Sequence, residues 1–233
     1  MTTAKYLTFE GPDTCGKTTQ IKLVIGYLSG LNLPVRVVRE PGGTPLAEVL
    51  RSVLLFPEKT AESLSINGGL ENKEFLTGVS ELFIFLSARS QLFDYVILPE
   101  LARGINIIGD RGRDSTRAYQ GAGRFKDDPP MLERIDDLND VATRNRRPDL
   151  TIILDLPVKT IFERINSRGQ EEITAFELNC KEEFFERVRE QFLAIAQREP
   201  NRAQVIDGNQ SIEKVFADIK PHLKKLFGIN DAI

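Results

Sequence analysis

The sequence predicts an α/β fold, a parallel sheet with helices on both faces, and three observations predict it. Short apolar runs alternate with amphipathic helical periods along the chain, a phosphate-binding loop follows the first run, and each run ends in polar residues. Alternation of this kind marks strands buried between two helical layers. In such sheets the ligand crevice lies beyond the carboxyl ends of the strands, so the polar groups collected there should face one common site.

The first run, Tyr6, Leu7 and Phe9, stops at Gly11, and Gly11-Pro12-Asp13-Thr14-Cys15-Gly16-Lys17-Thr18 matches G-x-x-x-x-G-K-[ST]. The match falls between strand and helix, as the mechanism requires. Its glycines let backbone N–H groups point at phosphate oxygens, and the following helix adds its positive end. The loop from Gly11 to Thr19 therefore reads as a nucleotide-phosphate site. Lys17 would reach the β- and γ-phosphates, and the Thr18 hydroxyl would coordinate a Mg²⁺ bridging them. Ile21, Val24, Ile25 and Leu28 then recur at i, i+3, i+4 and i+7, so the first helix buries one face.

A turn near Gly30 to Pro34 leads into Val35, Val37 and Val38, a second strand that stops abruptly at Arg39-Glu40-Pro41-Gly42-Gly43-Thr44. The segment from Phe56 to Asn72 has no clear period and reads as a surface loop. From about Lys73 to Arg103 a helical period is held by Phe75, Val79, Leu82, Phe83, Leu86, Phe93 and Ile97, with Pro99 bending or splitting the element. Three further runs are Ile105 to Ile108, Leu150 to Leu154 and Gln204 to Ile206, ending at Asp110-Arg111, Asp155 and Asp207. The last element is a helical stripe of Ile212, Val215, Phe216, Ile219, Leu223 and Leu226, with Pro221 starting a new turn.

At 233 residues the chain suits a single domain. A net charge of −3 with 28% charged residues lacks the strong basic excess of a nucleic-acid binder, so no nucleic-acid partner is expected. Cys15 and Cys180 are too few and too oddly placed for a disulfide framework or a zinc site, which fits a reducing, cytoplasmic setting. No basic-then-apolar leader opens the chain, and no apolar run approaches the roughly 18 residues of a membrane span. Neither secretion nor membrane insertion is expected.

Asp110 and Arg111 are a carboxylate and a guanidinium at the crevice. The first could hold Mg²⁺ directly or through water and the second could bind phosphate through paired hydrogen bonds, a structural ion pair being the alternative. Beyond them Ser115, Thr116, Tyr119, Gln120, Gly121 and Arg124 offer polar and aromatic groups suited to a small ligand. Phe85 and Arg89, four apart, share a helical face on which a ring and a guanidinium can meet one ligand. For an arbitrary pair a core ring and a surface charge would be the simpler reading.

Phe9-Glu10-Gly11, Arg39-Glu40-Pro41-Gly42-Gly43, Glu48 with Arg51, Ser87-Ala88-Arg89-Ser90-Gln91, Asp110-Arg111, Ala118-Tyr119-Gln120-Gly121 and Pro148-Asp149-Leu150-Thr151 together resemble the thymidylate kinase family, bacterial lid type. Order and spacing agree from Tyr6 to the C-terminal helix. The resemblance implies a P-loop three-layer sandwich with a five-stranded parallel sheet, flanking helices and a small mobile lid. It implies phosphoryl transfer from MgATP to dTMP, giving dTDP and ADP on the way to dTTP for DNA replication, by an enzyme that is usually a homodimer. Residue by residue, it puts Asp13 on the sugar 3′-hydroxyl and Arg39 and Arg111 near the acceptor phosphate, with Arg51 also on the dTMP side. Phe85 would stack on thymine and Arg89 would bond a thymine carbonyl. Ser115, Thr116 and Gln120 would line the base pocket, and Tyr119 would crowd the 2′ position and favour deoxyribose.

The nucleophile of that reaction is already an ionised phosphate oxygen, so charge neutralisation and alignment suffice and no general base is required. The lone His222, read as a surface residue, is not needed. Relatives of this kind place a further catalytic arginine either in the phosphate loop or on the lid. The loop carries Thr14 here, so the lid, about residues 164–181, should supply it, and Arg168 is the candidate. Where many lid-type relatives show Asp-Arg-x-Glu, this chain has Thr174-Ala175-Phe176-Glu177. Arg144, Arg146 and Arg147 read as a solvated helix end. Two other readings are a deoxynucleoside kinase, which Arg39-Glu40-Pro41-Gly42-Gly43 argues against, and a nucleotide-binding protein without turnover, which Lys17, Thr18 and Asp110 argue against.

Overall fold

Each of the five apolar runs forms a strand, and all five pair in parallel in a computed structural model that describes residues 3–56, 60, 76–167 and 181–229. The strands are β1 (Tyr6–Glu10), β2 (Val35–Arg39), β3 (Asn106–Asp110), β4 (Leu150–Asp155) and β5 (Ala203–Asp207), in the order β2-β3-β1-β4-β5. The chain leaves β1 for the β2 side and later crosses back to β4, so β1 lies at the point where the strand order reverses. That is where an open α/β sheet leaves a crevice.

Every residue of β1 is buried, as expected of a strand covered on both faces. Alternation divides its side chains between two cores. Leu7 and Phe9, with Ile108 of β3, pack into the larger core beneath α1 (Lys17–Gly30), α7 (Val158–Asn166), α8 (Glu182–Arg198) and α9 (Ile212–Phe227). Tyr6, paired in register with Ile107, points the other way and joins Val38, Leu92, Phe93, Val96 and Ile97.

The helices on that second face begin with α2 (Pro45–Leu55), whose N-cap Thr44 accepts a hydrogen bond from the Ala47 N–H, with Pro45 at its first position. Then comes α3 (Gly78–Leu92), capped by Thr77. The break expected at Pro99 falls earlier. A π-helical turn at Phe93–Ile97 follows α3 and runs directly into α4 (Leu98–Ala102). Pro99 has no N–H to offer the carbonyl four residues back, and the wider π turn takes up that mismatch while the rod continues. Of the predicted stripe, Leu82, Leu86, Phe93 and Ile97 are buried, while Val79 and Phe83 face outward, 47% and 54% exposed. Phe75 lies outside the described residues, as does nearly all of the expected 56–72 loop.

The expectation that no stretch approaches a membrane span does not hold for Gly78–Ala102, a 25-residue helical rod with a window of mean hydropathy 1.3. Its inner face carries buried Glu81, Arg89 and Glu100, each paired with a partner from another segment. Such a face belongs against a protein core.

After β3 come α5 (Arg113–Thr116), a π-helical turn at Arg117–Arg124 and α6 (Pro129–Ala142). The π turn lies close against α8. A Cβ on Gly123 would stand 2.3 Å from the Phe184 ring, and the Arg187 guanidinium donates to the carbonyls of Ala122 and Gly123. Helix α9 runs through Pro221 without a break, and His222 is half-buried, with burial and then Lys225 lowering its pKa.

Candidate active site

The loop between β1 and α1 is bent by positive φ at Gly11 (129°), Thr14 (66°) and Gly16 (93°). Only glycine fits at position 11, where a Cβ would stand 2.5 Å from the Leu154 carbonyl oxygen. Lys17 Nζ donates to the carbonyls of Pro12 (2.8 Å) and Gly11 (3.2 Å), which holds the ammonium over the loop. Pro12 and Cys15 are buried, and Cys15 belongs to the core below.

The loop faces an open cleft of about 570 Å³ at the carboxyl ends of the strands. On the loop side it is lined by Asp13, Thr14, Gly16, Lys17, Thr18 and Thr19. Across from them stand Arg39, Glu40, Arg51, Asp110 and Arg111, with Arg164 and Ser167 at the end of α7. Sheet register accounts for this convergence, because Asp110 pairs with Phe9 on one side and Arg39 on the other. The carboxyl ends of three strands thus meet at one edge.

Helix α2 folds its first turns back onto the Pro-Gly-Gly turn. Glu48 accepts from the Gly43 N–H (2.8 Å) and from Arg39 (2.9 Å), and these bonds hold its carboxyl below the usual range. Arg51 donates to the Pro41 carbonyl at 2.9 Å. Burial, then the charges of neighbouring Arg39 and Arg111, disfavour its cation and lower its pKa. Three guanidiniums gathered around one cleft make a site suited to an anion.

Arg111 has φ +71°, an uncommon value for a side chain other than glycine. Its guanidinium is fixed from both sides. Nη2 donates to Asp13 Oδ1 (2.6 Å) and to the Tyr119 hydroxyl (3.3 Å), and Nη1 to the Gly11 carbonyl and Ser115 Oγ, both at 3.1 Å. The group also stacks over the Tyr119 ring, 5.0 Å from its centroid. Burial opposes the cation, but Asp13 and then Tyr119 and Asp110 outweigh it and keep Arg111 charged.

A family model described as Thymidylate kinase matches residues 9–219 of this chain. The thymidylate kinase of Chromohalobacter salexigens is 39% identical over 223 residues, covering 96% of each chain. That of Geobacter sulfurreducens is 41% identical over 212 residues, covering 89% of this chain and 91% of its own. The crystal structure of thymidylate kinase from Ehrlichia chaffeensis superposes with a TM-score of 0.69 at 32% identity, over 96% of this chain and 99% of that one. The chain belongs to the thymidylate kinase family.

In this thymidylate kinase family member the residues expected around the base do not line the 570 Å³ cleft among the described residues. Phe85 is half-buried on α3, one turn before Arg89. Arg89 is 1% exposed, and its guanidinium donates to Glu40, Thr116, Asn139 and the Gly112 carbonyl, so four of its five N–H groups are taken by described residues. Gln120 Nε2 donates to the buried carboxylate of Glu81 at 2.8 Å. Ser115 meets the cleft through Arg111, and Tyr119 through Arg111 and through Asp13, to which its hydroxyl donates at 3.4 Å.

Arg168 lies outside the described residues, as does most of the expected lid. Arg164, at the end of α7, lines the cleft and donates to the Thr14 carbonyl at 2.9 Å. Glu40 and Ser167 also line it. Glu40 was legible as part of the Arg-Glu-Pro element, and Arg164 as the first residue of the expected lid. Nothing in the local sequence marks Ser167. Arg144, Arg146 and Arg147 pair with Asp94, Asp149 and Asp140 away from the cleft.

Proposed function

We propose that this chain transfers the γ-phosphoryl group of ATP to dTMP, giving dTDP and ADP. One observation carries the reading beyond family membership. Lys17, Arg39, Arg51 and Arg111 surround a single cleft together with Thr18 and Asp110. Four cations serve a donor and an acceptor that both carry phosphate, and their charge stabilises what spreads over the transferring group.

The phosphate loop, with Lys17, would hold the ATP phosphates. Arg39, Arg51 and Arg111 would hold the dTMP phosphate in line with them, which is the positioning that such a reaction chiefly needs. Asp13, oriented by Arg111, would take the sugar 3′-hydroxyl. Tyr119 would close the 2′ side, and Phe85, Arg89, Thr116 and Gln120 would border the base. Arg168, with Arg164 at the loop, would complete the charge around ATP. Thr18 and Asp110 offer a hydroxyl and a carboxylate on the same cleft, and no cluster of three metal-binding side chains occurs among the described residues. Such a small set of hard oxygen donors suits Mg²⁺, which takes most of its ligands from phosphates and water. When bound, Mg²⁺ supplies charge neutralisation to the phosphates.

The nucleoside kinase reading needs a carboxylate free to take a proton from a sugar hydroxyl. Of the carboxylates on the cleft, Asp13 is paired with Arg111 and Glu40 with Arg89, each at 2.6 Å, and Asp110 is the one assigned here to Mg²⁺, so none is free for that task. The whole chain would act as one domain with the lid over about 164–181, in the cytoplasmic setting that its cysteine usage suggests. A homodimer would cover the outward apolar side chains Leu46, Val49, Val79 and Phe83 of α2 and α3. Phe83→Asp should then yield a monomer in sedimentation, and an unchanged mass would remove that surface.

The reading is tested by ADP release from MgATP with dTMP, dUMP, dCMP, dGMP and thymidine offered separately. Release with dTMP above all others supports it, and release with thymidine alone would replace it with a nucleoside kinase.

A further inference from the structure

Glu10, the last residue of β1, is fully buried, yet no Lys or Arg among the described residues donates to it. Both of its oxygens are taken by one residue. Ser115 donates its N–H to Oε1 (3.3 Å) and its hydroxyl to Oε2 (2.5 Å). The same Ser115 Oγ accepts from Arg111 Nη1 at 3.1 Å. Glu10, Ser115 and Arg111 therefore form a chain from beneath the sheet edge to the cleft.

The direction of that chain depends on Glu10. A carboxylate can only accept, so it takes the single Ser115 hydroxyl hydrogen and turns the oxygen's lone pairs toward the guanidinium. A protonated Glu10 donates instead. It then occupies a lone pair of Oγ and releases the serine hydrogen, which weakens the hold on Arg111.

We propose that Glu10 is a positioning residue for phosphoryl transfer, which sets through Ser115 where the Arg111 guanidinium lies. The proposal rests on the reading above that Arg111 serves the acceptor phosphate. The surroundings of Glu10 make its state responsive to pH. Asp114 of α5 faces it, as do Arg111 at the end of β3, Glu40 beyond β2 and Tyr6 of β1. Burial and then Asp114 push Glu10 up to about 8, against the pull of Ser115 and Arg111. Asp114 is held by Arg202 at 2.7 and 3.0 Å, so of the two carboxyls Glu10 is the one without a cationic partner of its own.

Glu10→Gln keeps the shape and fixes the donor pattern of the protonated form. The test is the pH profile of kcat and KM for dTDP formation by the wild-type chain, Glu10→Gln, Ser115→Ala and the double variant. The wild type should gain turnover as pH rises through about 8. Glu10→Gln should lack that limb and fall roughly tenfold in kcat at pH 9, the size of one lost hydrogen bond to a charged group, with KM for ATP unchanged. Ser115→Ala should show the same loss, and the double variant no more than either single. Wild-type kcat for Glu10→Gln at pH 9, or losses that simply add, would overturn the proposal. A wild-type chain that forms no dTDP at any pH would overturn the functional reading and this inference with it.

Discussion

Arg89 and Glu40 meet at 2.6 Å with side chains only 1% and 4% exposed. The pair joins α3 to the turn after β2, and the remaining Arg89 bonds reach Thr116, Asn139 and the Gly112 carbonyl. One guanidinium thus ties α3 to the turn after β2, to the start and end of α5 and to α6. Burial raises the Glu40 pKa and the Arg89 charge opposes it. Removing one partner strands the other, at a cost of about 3–5 kcal/mol. Arg89→Met should therefore lower the urea midpoint markedly, and Glu40→Gln added to it should recover part of the loss. Additive losses would mean that the pair is not coupled.

The buried carboxyl of Glu10 gives stability a pH dependence of predictable sign. The folded chain holds this proton up to about 8, and the unfolded chain releases it near 4.5. Between those values the folded state binds more protons, so its stability falls as pH rises. Glu10→Gln should unfold at higher urea than wild type at pH 8.5 and at the same urea at pH 4. Parallel curves for the two proteins would contradict this. A variant that is more stable but slower also separates a positioning role from a structural one.

Gly123 sets the π turn at Arg117–Arg124 close against α8. Gly123→Ala would drive a methyl group into the Phe184 ring, an overpacking that costs about 1–3 kcal/mol. Thermal unfolding should show the loss, and Phe184→Leu in the same chain should return part of it.

Arg164, in the last turn of α7, bonds the Thr14 carbonyl of the phosphate loop. Arg164→Ala should loosen the loop and raise KM for ATP several-fold. Arg168→Ala should lower turnover much more than it weakens dTMP binding, as for a group that acts mainly on the transition state. Unchanged turnover would remove Arg168 from the catalytic set.

The strands and the phosphate loop were legible because each strand is a short apolar run that ends at a polar residue or a glycine. The placement of Asp110 and Arg111 followed from the same rule. Arg89 was harder, since its neighbours Glu40, Thr116 and Asn139 lie 49, 27 and 50 residues away. No local pattern distinguishes a charge buried by such partners from one in water. Glu10 likewise looks like the polar end of a strand, and only Ser115 folded beneath the loop gives it a task. The π turn before Pro99 escaped notice because a shift of backbone register leaves no mark on hydrophobic period. The outward Val79 and Phe83 escaped for a related reason, since periodicity identifies an apolar stripe and not what covers it.

Phosphoryl transfer to a nucleoside monophosphate can be watched on the phosphorus atoms themselves. The most direct measurement is ³¹P NMR of the chain mixed with MgATP and dTMP, followed until the spectrum stops changing. Phosphorus resonances of dTDP should grow in step with those of ADP, and thymidine in place of dTMP should give neither. Growth of ADP with inorganic phosphate alone, or an unchanged spectrum, would mean that the chain does not phosphorylate dTMP.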